Sequence, residues 1–275
     1  MTAAPAFAKI NLALVVGPLR EDGKHEVVTV LQRIDLHDTI TLTAADELGV
    51  DGFAEDTIVA SALTALARSA GVEPGWQAHI EKRIPVAAGL GGGSSDAATA
   101  LALANETLGQ PLPTDELQSI ARGLGSDVPF FLHSGAKLAT GDGTELESVD
   151  LPSEYVVVLV VPHVGAKESS GAVYGEFDTR AGAAGFEARA ARVHHALAAV
   201  TAPRDLAALP PNDLASSPLA RELEALGAFR ADVSGAGPTV YGLFTEQEEA
   251  ESAADRLAAL GSTFVARPVQ ARRHA

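Results

Sequence analysis

Apolar and polar residues alternate at the start of the chain. In residues 7–16, Ala8, Ile10, Leu12 and Leu14 share one face and Phe7, Lys9 and Asn11 the other, which is the period-two pattern of a strand. Lys9 and Asn11 therefore point the same way. Gly17-Pro18 is a turn signal, residues 20–25 (Arg-Glu-Asp-Gly-Lys-His) predict a polar loop, and residues 26–43 predict a second long strand. The period then changes. Ile58, Val59, Ala62, Leu63, Leu66 and Ala70 recur at helical spacing, with Asp56 as N-cap and Gly71 as stop.

Residues 79–86 return to a β-like pattern and lead into residues 85–97, Pro-Val-Ala-Ala-Gly-Leu-Gly-Gly-Gly-Ser-Ser-Asp-Ala, ahead of an alanine-rich helix over residues 95–108 that stops at Gly109. Thr114 is the expected cap of the next helix, whose core face is Leu117, Ile120, Ala121 and Leu124. Residues 125–129 (Gly-Ser-Asp-Val-Pro) interrupt it. Pro129 biases Val128 away from the helical region, which puts Asp127 on a bend.

A polar, acidic stretch at residues 142–154 reads as a loop and sets the expected boundary between two lobes, residues 1–150 and 151–275. The continuous apolar run at residues 155–161 predicts a central strand buried on both faces. Phe186, Ala190, Val193, Leu197 and Val200 mark a helix, and residues 210–213 a turn. Residues 232–238 (Asp-Val-Ser-Gly-Ala-Gly-Pro) form a glycine turn before a strand at 239–244. Thr245 and Glu248 predict a capping box for a helix ending at Gly261, and residues 263–267 a last strand. There is no internal repeat, and the sum is an α+β protein.

Composition narrows the function classes. The chain has 275 residues, 47% hydrophobic and 20% charged, enough for a sizeable core. Its formal net charge of −16 repels nucleic acid and anionic lipid, so neither is expected as a partner. With no cysteine there is no disulfide, thiolate metal site or cysteine nucleophile. No apolar run approaches the roughly 18 residues of a membrane span, and no leader is visible, so a cytoplasmic protein is expected.

Against that acidic background an anionic substrate needs local devices. Gly89, Gly91, Gly92 and Gly93 lie within five positions between a strand and a helix, where backbone N–H groups and the helix dipole can hold a phosphate. The glycines alone fit a tight turn equally well. Ser94 and Ser95 add hydroxyls for a helix cap, for phosphate, or for magnesium. The spacing is neither that of a P-loop nor that of a dinucleotide fingerprint. Lys9 with Asn11, Asp127, and the Ser234-Gly-Ala-Gly turn through Gly237 are the other breaks in a bland pattern. A carboxylate to take a hydroxyl proton and a lysine to offset phosphoryl charge, beside a phosphate cradle, are the parts of a kinase.

Residues 6–12 (Ala-Phe-Ala-Lys-Ile-Asn-Leu), 85–97 and 233–239 (Val-Ser-Gly-Ala-Gly-Pro-Thr) resemble, in order and spacing, the three signature motifs of the GHMP kinase superfamily. Residues 22–25 (Asp-Gly-Lys-His), 125–129 and 212–214 (Asn-Asp-Leu) narrow the likeness to the branch that acts on cytidine-diphosphate-linked methylerythritol in non-mevalonate isoprenoid synthesis. The resemblance implies a two-lobed fold, with an N-terminal lobe resembling ribosomal protein S5 domain 2 and a ferredoxin-like C-terminal α/β lobe, and an active site in the cleft between them. There ATP and Mg2+ would phosphorylate the substrate's 2-hydroxyl.

By the same likeness Lys9 and Asp127 are the catalytic pair, and Asn11, His25, Ser170 and Tyr174 bind substrate, with His25 hydrogen-bonding cytosine and Tyr174 stacking on it. Pro85, Ala88, Gly89, Leu90, Gly91, Gly92, Gly93, Ser94 and Ser95 bind ATP, with Ser234, Gly235 and Gly237 closing the site and Ser95 the candidate magnesium ligand. The chain departs from the pattern at four places. Lys24 stands where an aromatic is usual, Thr57-Ile58 where the family has Asn-Leu, Val233 where methionine is common, and Ala87-Ala88 where glycine is frequent. Two further readings are a superfamily kinase of homoserine or mevalonate type and a non-catalytic metabolite sensor of the same fold. The histidine of residues 22–25 argues against the first, and the pairing of Lys9 with Asp127 against the second.

Overall fold

A computed structural model describes residues 1–53, 58–163 and 169–270; Asp56 and Thr57 lie outside the described residues. By Cα packing the chain divides into two compact units, one of Met1–Ala8, Leu36–Val86 and Gly91–Ser134, the other of Lys9–Asp35, Ala87–Leu90 and Gly135–Ala275. The expected division at residue 150 follows chain order, whereas this one cuts across it. The cause is strand length: β1 (Thr2–Leu19) and β2 (His25–Ala44) pair with each other, and each is long enough to serve both units.

In the first unit, the far half of β2 pairs antiparallel with β4 (Trp76–Glu81), Thr39 opposite Glu81, and β3 (Gly49–Asp51) pairs parallel with β4. Four helices complete it: α1 (Ile58–Ala70), α2 (Gly92–Thr107), α3 (Thr114–Leu124) and α4 (Val128–Phe131). Ile40, Leu42, Leu63, Leu66, Trp76, Ile80 and Leu101 form its core. The alanines of α2, Ala97, Ala100 and Ala104, are buried where α1 packs on it, and small side chains permit that close approach.

In the second unit, the near half of β2 pairs with β5 (Ala136–Thr140), which carries β6 (Glu145–Val149) on its other edge. A separate antiparallel sheet has the order β10-β7-β9-β8, from β7 (Val156–Pro162), β8 (Arg230–Val233), β9 (Val240–Phe244) and β10 (Gly261–Ala266). The helices α5 (Ser170–Thr179), α6 (Phe186–Ala198) and α7 (Pro218–Ala225) fall between β7 and β8, and α8 (Gln247–Leu257) between β9 and β10. That is the split β-α-β plan of a ferredoxin-like lobe. Val156 to Leu159 are buried throughout, as an uninterrupted apolar strand requires.

The differences from the sequence reading have local causes. Gly17-Pro18 is not a turn. β1 runs through it, and Gly17 is small because a Cβ there would sit 2.9 Å from the Phe186 ring. β4 ends at Glu81 rather than residue 86, since Asp38 draws the next N–H groups, of Arg83 and Ile84, out of the ladder at 2.5 and 2.8 Å.

Neither Ser94 nor Ser95 caps α2. Gly91, left-handed at φ 71°, holds the N-cap position with no side-chain bond. Thr114 is the first residue of α3, behind Pro113, and α8 starts behind Glu246 with no capping box. Val128 is helical after all, because Pro129 falls in the first turn of α4, where no N–H is needed. The stretch read as a loop at residues 142–154 contains the edge strand β6, whose mostly exposed, charged side chains hide it. α8 ends at Leu257, and Gly261 opens β10, where a Cβ would meet the Val161 carbonyl oxygen at 2.4 Å.

Candidate active site

In the second unit, Lys9, Asn11 and Ala13 follow one another on one face of β1, as the alternation predicts. Lys9 and Asn11 are only 3% and 4% exposed. Burying an ammonium group demands acceptors. Lys9 Nζ donates to Asn11 Oδ1 at 2.7 Å, Asn11 Nδ2 donates to Thr29 Oγ1 at 2.8 Å, and Thr29 Oγ1 donates to the Ala13 carbonyl at 2.7 Å.

The middle of the glycine loop is bound to the same strand. Lys9 N donates to Leu90 O at 3.0 Å, Thr239 N to Ala88 O at 3.3 Å, and Ser234 Oγ to Gly89 O at 2.9 Å. Gly89 is left-handed, φ 79°, and a Cβ there would lie 2.3 Å from the Ser234 carbonyl oxygen, so only glycine fits. Gly235 passes close over the lysine: its Cβ position is 3.4 Å from Lys9 Nζ and 3.5 Å from Asn11 Oδ1. Asn212 Nδ2 fixes that turn through Val233 O and Gly235 O, at 2.9 and 2.7 Å, and Gly237 N closes it on Ser234 O. Ser234 is wholly buried and is a tether for the loop.

In the first unit, the loop continues as the start of α2. Gly91 and Gly92 are half-buried, Gly93 is exposed and Ser94 is half-buried, while Ser95 lies inside the helix with its N–H on Gly91 O at 2.9 Å. The first turn has no acidic residue and no side-chain cap, so the positive end of a 16-residue helix is left for an anion. Pro85 is half-buried, and Ala88 and Leu90 are buried, holding the loop by packing.

Beneath the loop, Lys82 Nζ donates to Asp38 at 2.5 Å and to Asp96 at 2.8 Å, both carboxylates almost completely buried. Burial pushes the Asp96 carboxyl up to about 7, with the Asp38 charge adding to it against the pull of Lys82. Burial works to lower Lys82, but its two carboxylates outweigh that and leave it raised. Asp127 sits half-buried in the turn ahead of α4, which packs on α2; its carboxylate does not cap α4.

A second group gathers in the second unit. His25, buried at the start of β2, is stacked on Tyr174, with ring centroids 5.1 Å apart and planes at 24°, and is edge-on to Phe177 at 5.8 Å. Its Nδ1 lies 2.9 Å from the Gly17 carbonyl, which only accepts, so Nδ1 carries the proton. Nε2 faces Asp178 at 3.5 Å. Ser170 is the exposed first residue of α5, and the hydroxyl that caps this helix is that of Ser169. Lys24 is drawn to Asp142 at 2.6 Å.

The structure thus brings Lys9, Asn11, Gly89, Ser234 and Gly235 together in one unit, and His25 with Tyr174 in the same unit. Gly91 to Ser95 and Asp127 belong to the other. Sequence reasoning missed Thr29, Phe177, Asp178 and the Asp38–Lys82–Asp96 group. An i, i+3 and i+4 pattern from Tyr174 to Phe177 and Asp178 carries the signal for those two.

Among the described residues no three of His, Cys, Asp and Glu gather as metal ligands. Among them, too, no helix is long and apolar enough to cross a membrane.

Comparison with known proteins shows the family. Residues 57–135 match the GHMP kinases N terminal domain and residues 212–263 the GHMP kinases C terminal domain. The 4-diphosphocytidyl-2-C-methyl-D-erythritol kinase of Salinispora tropica is 42% identical over 92% of this chain and 86% of its own. That of Geobacter sulfurreducens is 39% identical over 92% and 94%. A solved 4-(cytidine 5'-diphospho)-2C-methyl-D-erythritol kinase superposes with a TM-score of 0.79 at 27% identity, covering 98% of this chain and 100% of its own. The Methanococcus jannaschii mevalonate kinase, at 14% identity and a TM-score of 0.75 over 98% of both chains, shares the fold. The chain belongs to the GHMP kinases and, within them, to the 4-diphosphocytidyl-2-C-methyl-D-erythritol kinase family of small-molecule kinases.

Proposed function

We propose that this protein transfers the γ-phosphoryl group of ATP to the 2-hydroxyl of 4-diphosphocytidyl-2-C-methyl-D-erythritol, in the cytoplasm, as a step of non-mevalonate isoprenoid precursor synthesis. The observation that carries the reading is the buried Lys9–Asn11 pair, hydrogen-bonded through its own strand to the glycine loop. A binder with no chemistry to perform has no use for an ammonium group kept out of water at that place. The relatives named for this reaction, at 36–42% identity over about nine-tenths of the chain, favour it over the homoserine and mevalonate readings.

In the reaction the acceptor hydroxyl gives its proton to the Asp127 carboxylate, its oxygen bonds to the γ-phosphorus, the bridging P–O bond breaks, and ADP leaves. Lys9 polarises the hydroxyl and offsets charge on the moving phosphoryl group; Asn11 keeps Lys9 in place and lies toward the substrate. Backbone N–H groups of Gly91 to Ser94 hold the ATP phosphates at the start of α2. Magnesium would be held by the ATP phosphates with the Ser95 hydroxyl as the candidate protein ligand, and it would neutralise phosphoryl charge. His25, with Nδ1 fixed as a donor to Gly17, would offer the cytosine edge its Nε2, which in the structure faces Asp178, and Tyr174 would supply an aromatic face. Nothing in this calls for a nucleic-acid or membrane partner.

The test is a coupled ADP-release assay with the cytidine substrate beside homoserine and mevalonate. Turnover is expected with the first alone; turnover with either of the others and none with the first would sink the assignment. Asp127→Asn is expected to lower kcat by about 10²–10⁴, the worth of a positioned base, and a loss of only a few-fold would reduce Asp127 to an orienting role.

A further inference from the structure

We infer that Thr29 is a positioning residue for the phosphoryl-transfer step: its hydroxyl fixes which way the Asn11 amide faces and, through it, holds the Lys9 ammonium at the site. The inference rests on the catalytic reading of Lys9. Thr29 lies on β2, 18 residues from Asn11, and is 5% exposed.

The direction of every bond in the chain is forced from its two ends. At one end the Lys9 ammonium has donors only, and at the other the Ala13 carbonyl has acceptors only. Thr29 has a single hydroxyl proton, and it goes to Ala13 O at 2.7 Å. Toward Asn11, 2.8 Å away, Thr29 can then only accept, so it takes the amide NH2. That leaves Asn11 Oδ1, and not Nδ2, facing Lys9 Nζ at 2.7 Å. Asparagine by itself carries no such preference, because its oxygen and nitrogen have nearly the same shape.

Without the hydroxyl the amide is free to turn, and an NH2 group turned toward an ammonium group is a donor–donor contact in a site that excludes water. Lys9 would leave it. The backbone of Gly235 passes close to the lysine, 3.4 Å from Nζ to the Cβ position, so an ammonium displaced from Asn11 cannot move freely in that direction.

Thr29→Val keeps volume and β-branching and removes only the hydroxyl, whereas Thr29→Ser keeps the hydroxyl. kcat and KM for ATP and for the cytidine substrate are measured for both, for Lys9→Met, and for the Lys9→Met/Thr29→Val double variant, with thermal unfolding alongside. Thr29→Val is expected to lose about 10- to 100-fold in kcat with both KM values within about threefold, the mark of an interaction made in the transition state. Thr29→Ser is expected to recover to within about threefold. In the Lys9→Met background Thr29→Val is expected to cost less than about twofold more, since the two act as one unit.

A Thr29→Val enzyme with wild-type kcat, a Thr29→Ser enzyme as poor as Thr29→Val, or an undiminished loss in the Lys9→Met background would each overturn the inference. If Thr29→Val does not fold, Thr29→Ala is judged by the same criteria. Lys9→Met at the wild-type rate would overturn the catalytic reading of Lys9 and the inference with it. An impaired Lys9→Met beside an unimpaired Thr29→Val would overturn the inference alone.

Discussion

Gly89 and Ala87 stand two positions apart with backbones of the same hand, φ 79° and 55°, and only one of them is a glycine. Alanine at 87 is therefore more than a packing variant of the family's frequent glycine: it carries a left-handed backbone that costs an L-residue about 1–2 kcal/mol. At Gly89 space forbids even that, because a Cβ would lie 2.3 Å from Ser234 O. Gly89→Ala is expected to part the loop from the Ser234 turn and to cost about 1–3 kcal/mol, read as an unfolding temperature lower by several degrees together with a raised KM for ATP. An unchanged melting curve would mean that the loop is not held as described. At this scale the sequence was partly legible. Period-two alternation alone puts Lys9 and Asn11 on one face, and nothing more distant was needed. Thr29 was not legible, because a threonine in a β-branched run is ordinary, and its meaning depends on a neighbour 18 residues away.

The start of α2 shows what a whole element adds to its residues. Alanine spacing reveals the helix, but the serines misplace its beginning, since a left-handed glycine can open a helix without any side-chain cap. The node that ties the element down is illegible for another reason. Asp38 is on β2, Lys82 follows β4, and Asp96 is on α2, so no local pattern connects them. Asp38 also accepts from Arg83 N and Ile84 N, so the entry and exit of the glycine loop hang on one buried group of charges. Its pH signature follows from Asp96. The folded value of about 7 is above the ordinary aspartate value of 3.8, so between these limits the folded protein binds more protons than the unfolded one. This contribution is fully present below about pH 4, declines as pH rises, and is lost above about pH 7, a spread on the order of 4 kcal/mol. Asp96→Asn has no such titration. The unfolding temperature of the variant minus that of the wild type is expected to climb from pH 4 to pH 7, whatever the offset from losing the Lys82 bond, and a flat difference would show that Asp96 does not titrate there.

At the scale of the whole molecule, composition and strand count foretold an α+β chain, and the order β10-β7-β9-β8 gives the ferredoxin-like lobe that the motif likeness implied. The division into units was less visible, because chain order cannot tell a strand that ends at a boundary from one that runs past it, as β1 and β2 do. Charge belongs to this scale as well. With −16 overall, the summed field opposes ATP and a nucleoside-diphosphate substrate, and in the proposed mechanism attraction is left to local groups, Lys9 and the amides of α2. The two act over different distances. At about 10 mM ionic strength the screening length is roughly 30 Å and the approaching substrate meets the whole acidic surface; at about 150 mM it is roughly 8 Å and chiefly the site is felt. Added potassium chloride, at constant free magnesium, is therefore expected to raise kcat/KM for the cytidine substrate about two- to fivefold across that range while leaving kcat level, since encounter is screened and the buried chemistry is not. A kcat/KM that falls with salt would mean that local cations govern the approach, and that the acidic surface lies too far from the path of entry to oppose it.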